Sequence, residues 1–227
     1  MGTSHAASPS VAAPPLSIQG TQSSLFATGA PQPDRTFSTV HRRVLGDGAW
    51  IEHAPGWLSG ADTMLTWLVD AVDWMHPDVE LYGKTFTQPR LNARHVPSGD
   101  GSDAGNAIDA MIDALSDRYG TRLDRVGANF YRDGRDSVAW HGDRVLRNRE
   151  DALVATVSLG DTRRFLLRPR GGGRSVPFEP GPGDLIVMGG TCQRTWQHSI
   201  PKVAKAGPRV SITFRAVDLY RTKTPAT

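Results

Sequence analysis

The sequence has almost no cysteine. Its one thiol, Cys192, rules out an intrachain disulfide and any cysteine-based zinc site. That scarcity fits a reducing compartment. The opening "MGTSHAASPSVAAPP" lacks both a basic stretch and an apolar stretch, so it does not read as a secretory leader. Gly2 follows Met1, but Ala6 stands where a myristoylation pattern needs Ser or Thr. No apolar run approaches the length of a membrane span. These absences make a cytoplasmic protein without a membrane partner the expectation. No internal repeat is present, so a solenoid or propeller is not expected. Negative charge is short in one half only. Residues 1–120 carry net −6 and residues 121–227 net +9. A basic half suits an anionic partner, and it equally suits a solvated arginine-rich surface.

Residues 1–35 are rich in Ala, Pro, Ser, Gly and Gln without an apolar period, and are expected to form a disordered tail. Residues 36–227 are expected to form one domain. Its first part, 36–120, carries extended pieces at "TFSTVHRRVL" and "AWIEHAPGWL" and then two helices. In "SGADTMLTWLVDAVDWM", Ser59 can cap, with Asp62 three residues on, and Met64, Leu65, Leu68, Val72 and Met75 form one face. "NAIDAMIDALSDRY", residues 106–119, buries Ile108, Met111, Ile112 and Leu115 and stops at Gly120. The Pro-, Gly- and Ser-rich "TFTQPRLNARHVPSGDGSDAG" between them reads mostly as loop. After Gly120 the pattern changes to eight short strands: "RVGANFY", "SVAWH", "LVATVSL", "RRFLLR", "SVPFE", "DLIVM", "TWQHSI" and "RVSITFRAV". Turn signals such as "RDGRD", "LGDT" and "EPGPGD" separate several of them. The expected class is α+β, with residues 121–227 a jelly roll and the helices packed on its outside.

"VAWHGDRV" places His141 and Asp143 two apart. On a strand they share a face, a nitrogen ligand beside a carboxylate, although a strand end with two polar residues reads the same way. His198 in "TWQHSIP" supplies a third ligand. Two histidines and a carboxylate suit a non-haem Fe(II) centre with open positions, and zinc is chemically possible. Arg209 and Arg215 lie six apart in "RVSITFR" and share a strand face. Two guanidiniums inside a barrel are costly unless an anion meets them, and a dicarboxylate would satisfy both. Asn129 and Tyr131 share a face in the same way.

Together, "NFYRDGRDSVAWHGD", "VSLGDTRRFLLR", "GDLIVMGG", "WQHSIPK" and "RVSITFR", in this order, resemble the AlkB-type 2-oxoglutarate/Fe(II) dioxygenases. The resemblance covers about 90 residues, the whole expected barrel. It implies a double-stranded β-helix, with Fe(II) and 2-oxoglutarate as cofactors. His141, Asp143 and His198 then look like the iron ligands. Asn129 and Tyr131 look like donors to 2-oxoglutarate, and Arg209 like the partner of its distal carboxylate. Arg215 looks like a contact near the metal-bound end, with Ser211 where the family often has Asn. The implied activity is oxidative removal of N-alkyl groups from bases in DNA or RNA, with release of formaldehyde, succinate and carbon dioxide. The implied partner is single-stranded or damaged DNA, met by a monomer.

The chain departs from the family on the substrate side. The family's frequent acid after the iron-binding Asp is replaced by Arg144 and Val145, and its aromatic "Tyr-x-Tyr-Ser" segment is missing, with Arg94 and His95 in that region. Trp196 can line a substrate channel or fill core. Arg168 and Arg170, with Arg163, Arg164 and Arg174, can form a phosphate-binding rim or a solvated face. Cys192 reads as an inert packed thiol. A dioxygenase acting on protein side chains or a small metabolite, and a non-catalytic binding module, stand as alternatives.

Overall fold

The computed structural model describes residues 29–76, 78–81, 84–143 and 152–216. The remainder of the expected tail, together with Arg144 and Val145, lies outside the described residues. The chain begins with β1 (Gln32–Pro33), β2 (His41–Gly46), β3 (Ala49–Ala54) and β4 (Leu58–Ser59), followed by α1 (Ala61–Ala71). Next come β5 (Asp78–Leu81), β6 (Lys84–Thr87), β7 (Leu91–Ala93) and α2 (Asp103–Tyr119). The last half runs β8 (Arg125–Tyr131), β9 (Val138–His141), β10 (Val154–Gly160), β11 (Phe165–Pro169), β12 (Val176–Phe178) and β13 (Leu185–Gly190). It closes with the short α3 (Cys192–Thr195), β14 (Trp196–Ile200) and β15 (Arg209–Arg215).

All eight strands read from the last half are present, and they form a jelly roll. One sheet has the order β2-β3-β13-β10-β15-β8-β7 and the other β12-β11-β14-β9. Strands cross between sheets as the chain advances, so β8 faces β9 and β10 faces β11 in a two-layer sandwich. Two cores result. Val126, Ala128 and Phe130 of β8, with Ile212 and Phe214 of β15, pack on the side of the helices. Tyr131, Val154, Ile186 and Met188 face the opposite way, into the layer shared with Phe165 and Leu167. Alternation along each strand of the larger sheet thus sends every second side chain into the space between the sheets. The functional side chains come from that set.

The helices pack on the outer face by their apolar stripes. α2 buries Ile108, Met111, Ile112 and Leu115, each contributing about 1.5–3 kcal/mol of transfer free energy. It starts three residues before its apolar period suggests. Ser102 caps it, its hydroxyl oxygen accepting from the Gly105 N–H at 2.9 Å, and Gly120 ends it at φ 63°. α1 buries Met64, Leu65 and Leu68. Ser59 does not cap it, because that residue is in β4 paired with Gln32. Gly60 holds the N-cap position at φ 64°, and a Cβ there would come within 2.8 Å of the Pro31 backbone. Met75 is exposed rather than part of the apolar face, since α1 ends at Ala71.

Residues 29–35, read as tail from composition, contain β1 and a compact polar knot. The Asp34 carboxylate accepts from the backbone N–H and hydroxyl of both Thr36 and Ser38. These hydrogen bonds, that of the Thr36 hydroxyl foremost, lower its pKa to about 2. A depressed carboxylate pKa stabilises the fold above the unfolded value, and the contribution is lost as pH falls through the folded value. Asp34→Ala is therefore expected to lower the urea midpoint at pH 7. The deficit should shrink between pH 4 and pH 2, as urea titrations across that range will show. A chain begun at Thr36 should carry the same penalty, and one begun before Gly29 should not.

Candidate active site

β9 and β14 are paired, with His141 opposite His198. Their ring centroids are 4.2 Å apart, and Phe165 stacks on the His198 ring at 5.3 Å. Burial depresses the pKa of both imidazoles, more strongly that of His198, where the facing His141 adds to the effect; the charges of Arg90 and Arg215 lower both. Both rings are neutral at pH 7, the metal-binding form. The Ala139 carbonyl lies 2.9 Å from His141 Nδ1, which fixes Nδ1 as the protonated nitrogen and leaves Nε2 as the ligating one.

Asp143 is not on the strand with His141, as the shared-face reading expects. β9 ends at His141, and Asp143 follows the turn through Gly142. Arg215 Nε donates to Asp143 Oδ2 at 2.6 Å. Among the described residues no three His, Cys, Asp or Glu side chains converge closely enough to hold a metal ion. Two neutral imidazoles offer the carboxylate no countercharge, and Arg215 does. The backbone of Asp143 is nevertheless held in place. Its N–H donates to Gln193 Oε1 at 3.0 Å, and Gln193 is buried. Arg170 Nη2 and Nε donate to the carbonyls of Gln193 and Arg194, fixing α3 beneath the turn. A Cβ on Gly142 would meet Arg170 Nη2 at 2.7 Å and the Gln193 carbonyl at 2.9 Å, so the residue between the two candidate ligands must be glycine.

Between the sheets lies a cavity of about 60 Å³ lined by His141, His198, Asn129, Tyr131, Ser211 and Arg209, among others. Arg209 is 1% exposed. Its Nη2 donates to Ser158 Oγ at 2.8 Å, while Nε and Nη1 meet no hydrogen-bond partner among the described residues. Burial depresses its pKa, the neighbouring Tyr131 opposes that in part, and Arg163 adds to it. A buried guanidinium with two unmet donors fits a carboxylate. Asn129 Oδ1 accepts from Arg90 Nε at 3.0 Å and Asn92 Nδ2 at 3.4 Å, which turns the Asn129 amide N–H₂ toward the cavity as a donor.

Arg94 lines a second, larger cavity next to the first. His95 lines neither and is exposed. Trp196 lines neither and packs against the inter-sheet core. Of the five arginines read as a rim, the structure removes Arg163 from the surface, while Arg164 and Arg174 are exposed and Arg168 and Arg170 half-buried. Arg163 is buried, donating to the carbonyls of Asp133, Asp136 and Pro201. Arg168 stacks on Trp140 at 4.0 Å, Arg170 braces α3, and Arg164 lies 3.7 Å from Glu179. Cys192 is buried, and burial pushes its thiol up to about 12, in keeping with an inert packed side chain.

Sequence reading missed Arg90, Asn92 and Gln193. Arg90 and Asn92 sit at β7, in a stretch whose Pro and Gly content reads as loop. The period-2 run Arg90, Asn92, Arg94 was the available signal.

The sequence model of the family described as the 2OG-Fe(II) oxygenase superfamily matches residues 62–215. The DNA oxidative demethylase ALKBH2 of Arabidopsis thaliana is 28% identical over 196 residues, covering 68% of this chain and 62% of that protein. The human alpha-ketoglutarate-dependent dioxygenase alkB homolog 3 is 28% identical over 176 residues, with 69% and 62% covered. The chain thus spans about 62% of the length of these relatives. A solved 2OG-Fe(II) oxygenase-family oxidoreductase from Burkholderia pseudomallei is 18% identical, with a TM-score of 0.46 over 67% of this chain and 76% of that one.

Proposed function

The chain belongs to the 2OG-Fe(II) oxygenase superfamily, and from that premise we propose that it oxidatively removes N-alkyl groups from nucleic-acid bases, with single-stranded DNA as the preferred substrate. Fe(II) and 2-oxoglutarate are the cofactors of the family. The observation that carries the reading is Arg209, buried with two unmet donors in the cavity that also holds His141 and His198.

His141 through Nε2, His198 and Asp143 would hold Fe(II), a donor set suited to that ion. Arg209 would take the distal carboxylate of 2-oxoglutarate, with Tyr131 and the Asn129 amide donating to its other oxygens. Ser211 lies on the floor of the same cavity. When bound, Fe(II) and 2-oxoglutarate supply the dioxygen-derived oxidation that hydroxylates an N-methyl carbon, which then leaves as formaldehyde. The residues of the chain supply position and exclude water. Phe165 and Met188 wall the cavity, and Gln193 holds the backbone of Asp143. One of the two relatives, named a DNA oxidative demethylase, supports a nucleic-acid substrate. Single strands come first because extruding a base from a duplex costs unstacking energy, and among the described residues no aromatic wedge lines the larger cavity.

The test is parallel measurement of succinate and formaldehyde with a panel of N-methylated oligonucleotides, single- and double-stranded. Matched release from the single strands is expected. Healthy succinate formation without formaldehyde from any oligonucleotide would reject nucleic acid as the substrate and favour a small molecule or a protein side chain.

Gln193 gives a separate prediction. Gln193→Leu removes the acceptor of the Asp143 N–H without touching a candidate ligand. Supporting residues of this kind are worth about 10–100-fold in metal affinity. Fe(II) titration of the variant should show a loss in that range, with a largely unchanged melting temperature.

A further inference from the structure

Ser158 is a hydroxyl set in a buried strand. β10 reads "VATVSLG", and Ser158 is 2% exposed. A hydroxyl taken out of water is costly unless it finds a hydrogen-bond partner. The partner here is Arg209, whose Nη2 donates to Ser158 Oγ at 2.8 Å. The pairing of β10 with β15 sets this contact. Arg209 lies opposite Gly160, and Ser158 opposite Ser211. Gly160 has no side chain, so the arginine can lie back along β10 to the diagonal position, which a long side chain reaches.

The other side of Arg209 is set by β8. Tyr131 lies opposite it, with the guanidinium carbon 5.3 Å from the ring centroid. Arg209 thus stands between a hydroxyl on one neighbouring strand and an aromatic ring on the other. Ser158 is itself anchored at both backbone groups. Its N–H donates to the Asp184 carbonyl at 2.9 Å, and its carbonyl accepts from the Gly183 N–H at 2.8 Å. The Asp184 carboxylate ties that turn down, accepting from the N–H groups of Gly56 and Gly181 at 2.8 and 3.0 Å. A guanidinium held in this way is oriented before any ligand arrives, which removes the entropy cost of immobilising a long side chain on binding.

We propose that Ser158 is a positioning residue for the cosubstrate: by holding the Arg209 guanidinium it fixes where the distal carboxylate of 2-oxoglutarate lies, and so selects the length of the dicarboxylate. The proposal rests on the reading of Arg209 as the partner of that carboxylate. His141, His198 and Arg209 line the same cavity. A guanidinium fork is directional, so a fixed one accepts a carboxylate in one place. One methylene more moves the carboxylate off that place. A guanidinium free to change rotamer follows the longer chain, and selectivity is lost with the hydroxyl that held it.

Isothermal titration of the full chain, loaded with Mn(II) in place of Fe(II), gives its affinity for 2-oxoglutarate and for 2-oxoadipate, which is one methylene longer. No oligonucleotide enters the measurement, so the outcome does not depend on the substrate. In Ser158→Ala, affinity for 2-oxoglutarate is expected to fall by about twofold to tenfold, the cost of immobilising one long side chain. Affinity for 2-oxoadipate should hold or rise, so the preference for the shorter acid narrows. Ser158→Thr keeps a hydroxyl and should keep the preference. Should Ser158→Ala prove too unstable to titrate, Ser158→Cys, with a weakly accepting sulfur, is read in the same way. In an Arg209→Met background Ser158→Ala should change nothing further, since the residue acts through the arginine. A lower melting temperature with unchanged affinity and preference overturns the proposal and leaves the reading of Arg209 standing. An equal loss in both backgrounds overturns it as well, because Ser158 then acts by another route. Unaltered 2-oxoglutarate affinity in Arg209→Met overturns the reading of Arg209 and the proposal with it.

Discussion

Asp143→Ala is expected to abolish Fe(II)-dependent succinate formation, by at least about 100-fold, while the protein stays folded. Removing even a residue that supports a metal ligand costs about 10–100-fold in affinity, and a ligand itself costs more. Asp143 contributes little to the sandwich. It follows the end of β9, and its side chain touches Arg215 across the mouth of the larger cavity. Arg215 is partly exposed, so its abandoned guanidinium can turn to water. Fe(II) titration and succinate release, read beside the melting temperature, separate loss of the metal from loss of the fold. Full succinate formation in the variant would remove Asp143 from the ligand set.

Arg209→Met should change two quantities in opposite directions. Without cosubstrate, the wild-type guanidinium is buried with two donors unmet, and an uncompensated buried charge destabilises the fold. Methionine has similar reach and needs no partner, so the cosubstrate-free variant should melt at or above the wild-type temperature. With cosubstrate the order reverses. Loss of a buried charge-assisted pair costs about 2–5 kcal/mol, a drop in 2-oxoglutarate affinity of about 30-fold to several thousand-fold. A ligand that binds only the native state raises Tm, so 2-oxoglutarate should raise Tm in the wild type and not in Arg209→Met. A lower Tm for the free variant together with undiminished cosubstrate affinity would make Arg209 a purely structural cation, like Arg163.

Arg163 and Arg209 show where local reading stops. Both are arginines in strand-like surroundings in the basic half of the chain. One is tied to three loop carbonyls; the other has two donors unmet beside a cavity. Nothing within a few residues of either distinguishes them. What distinguishes them is which carbonyls the folded loops bring near, a long-range property.

The sequence by itself determined the eight barrel strands, the buried face of α2 and that of α1 except Met75, and the alternation that puts Asn129 with Tyr131 and Arg209 with Arg215 on shared faces. These follow from periods of 2 and 3.6 residues and from turn residues, which act over a few positions. Only the tertiary structure decided that "RLNAR" is an edge strand, that Gln193 holds the Asp143 backbone, and that Asp143 turns onto Arg215. Only it brought Arg90, Arg94, Arg125 and Arg215 to one cavity. A strand's period says which residues share a face, and pairing with a distant strand says what that face meets.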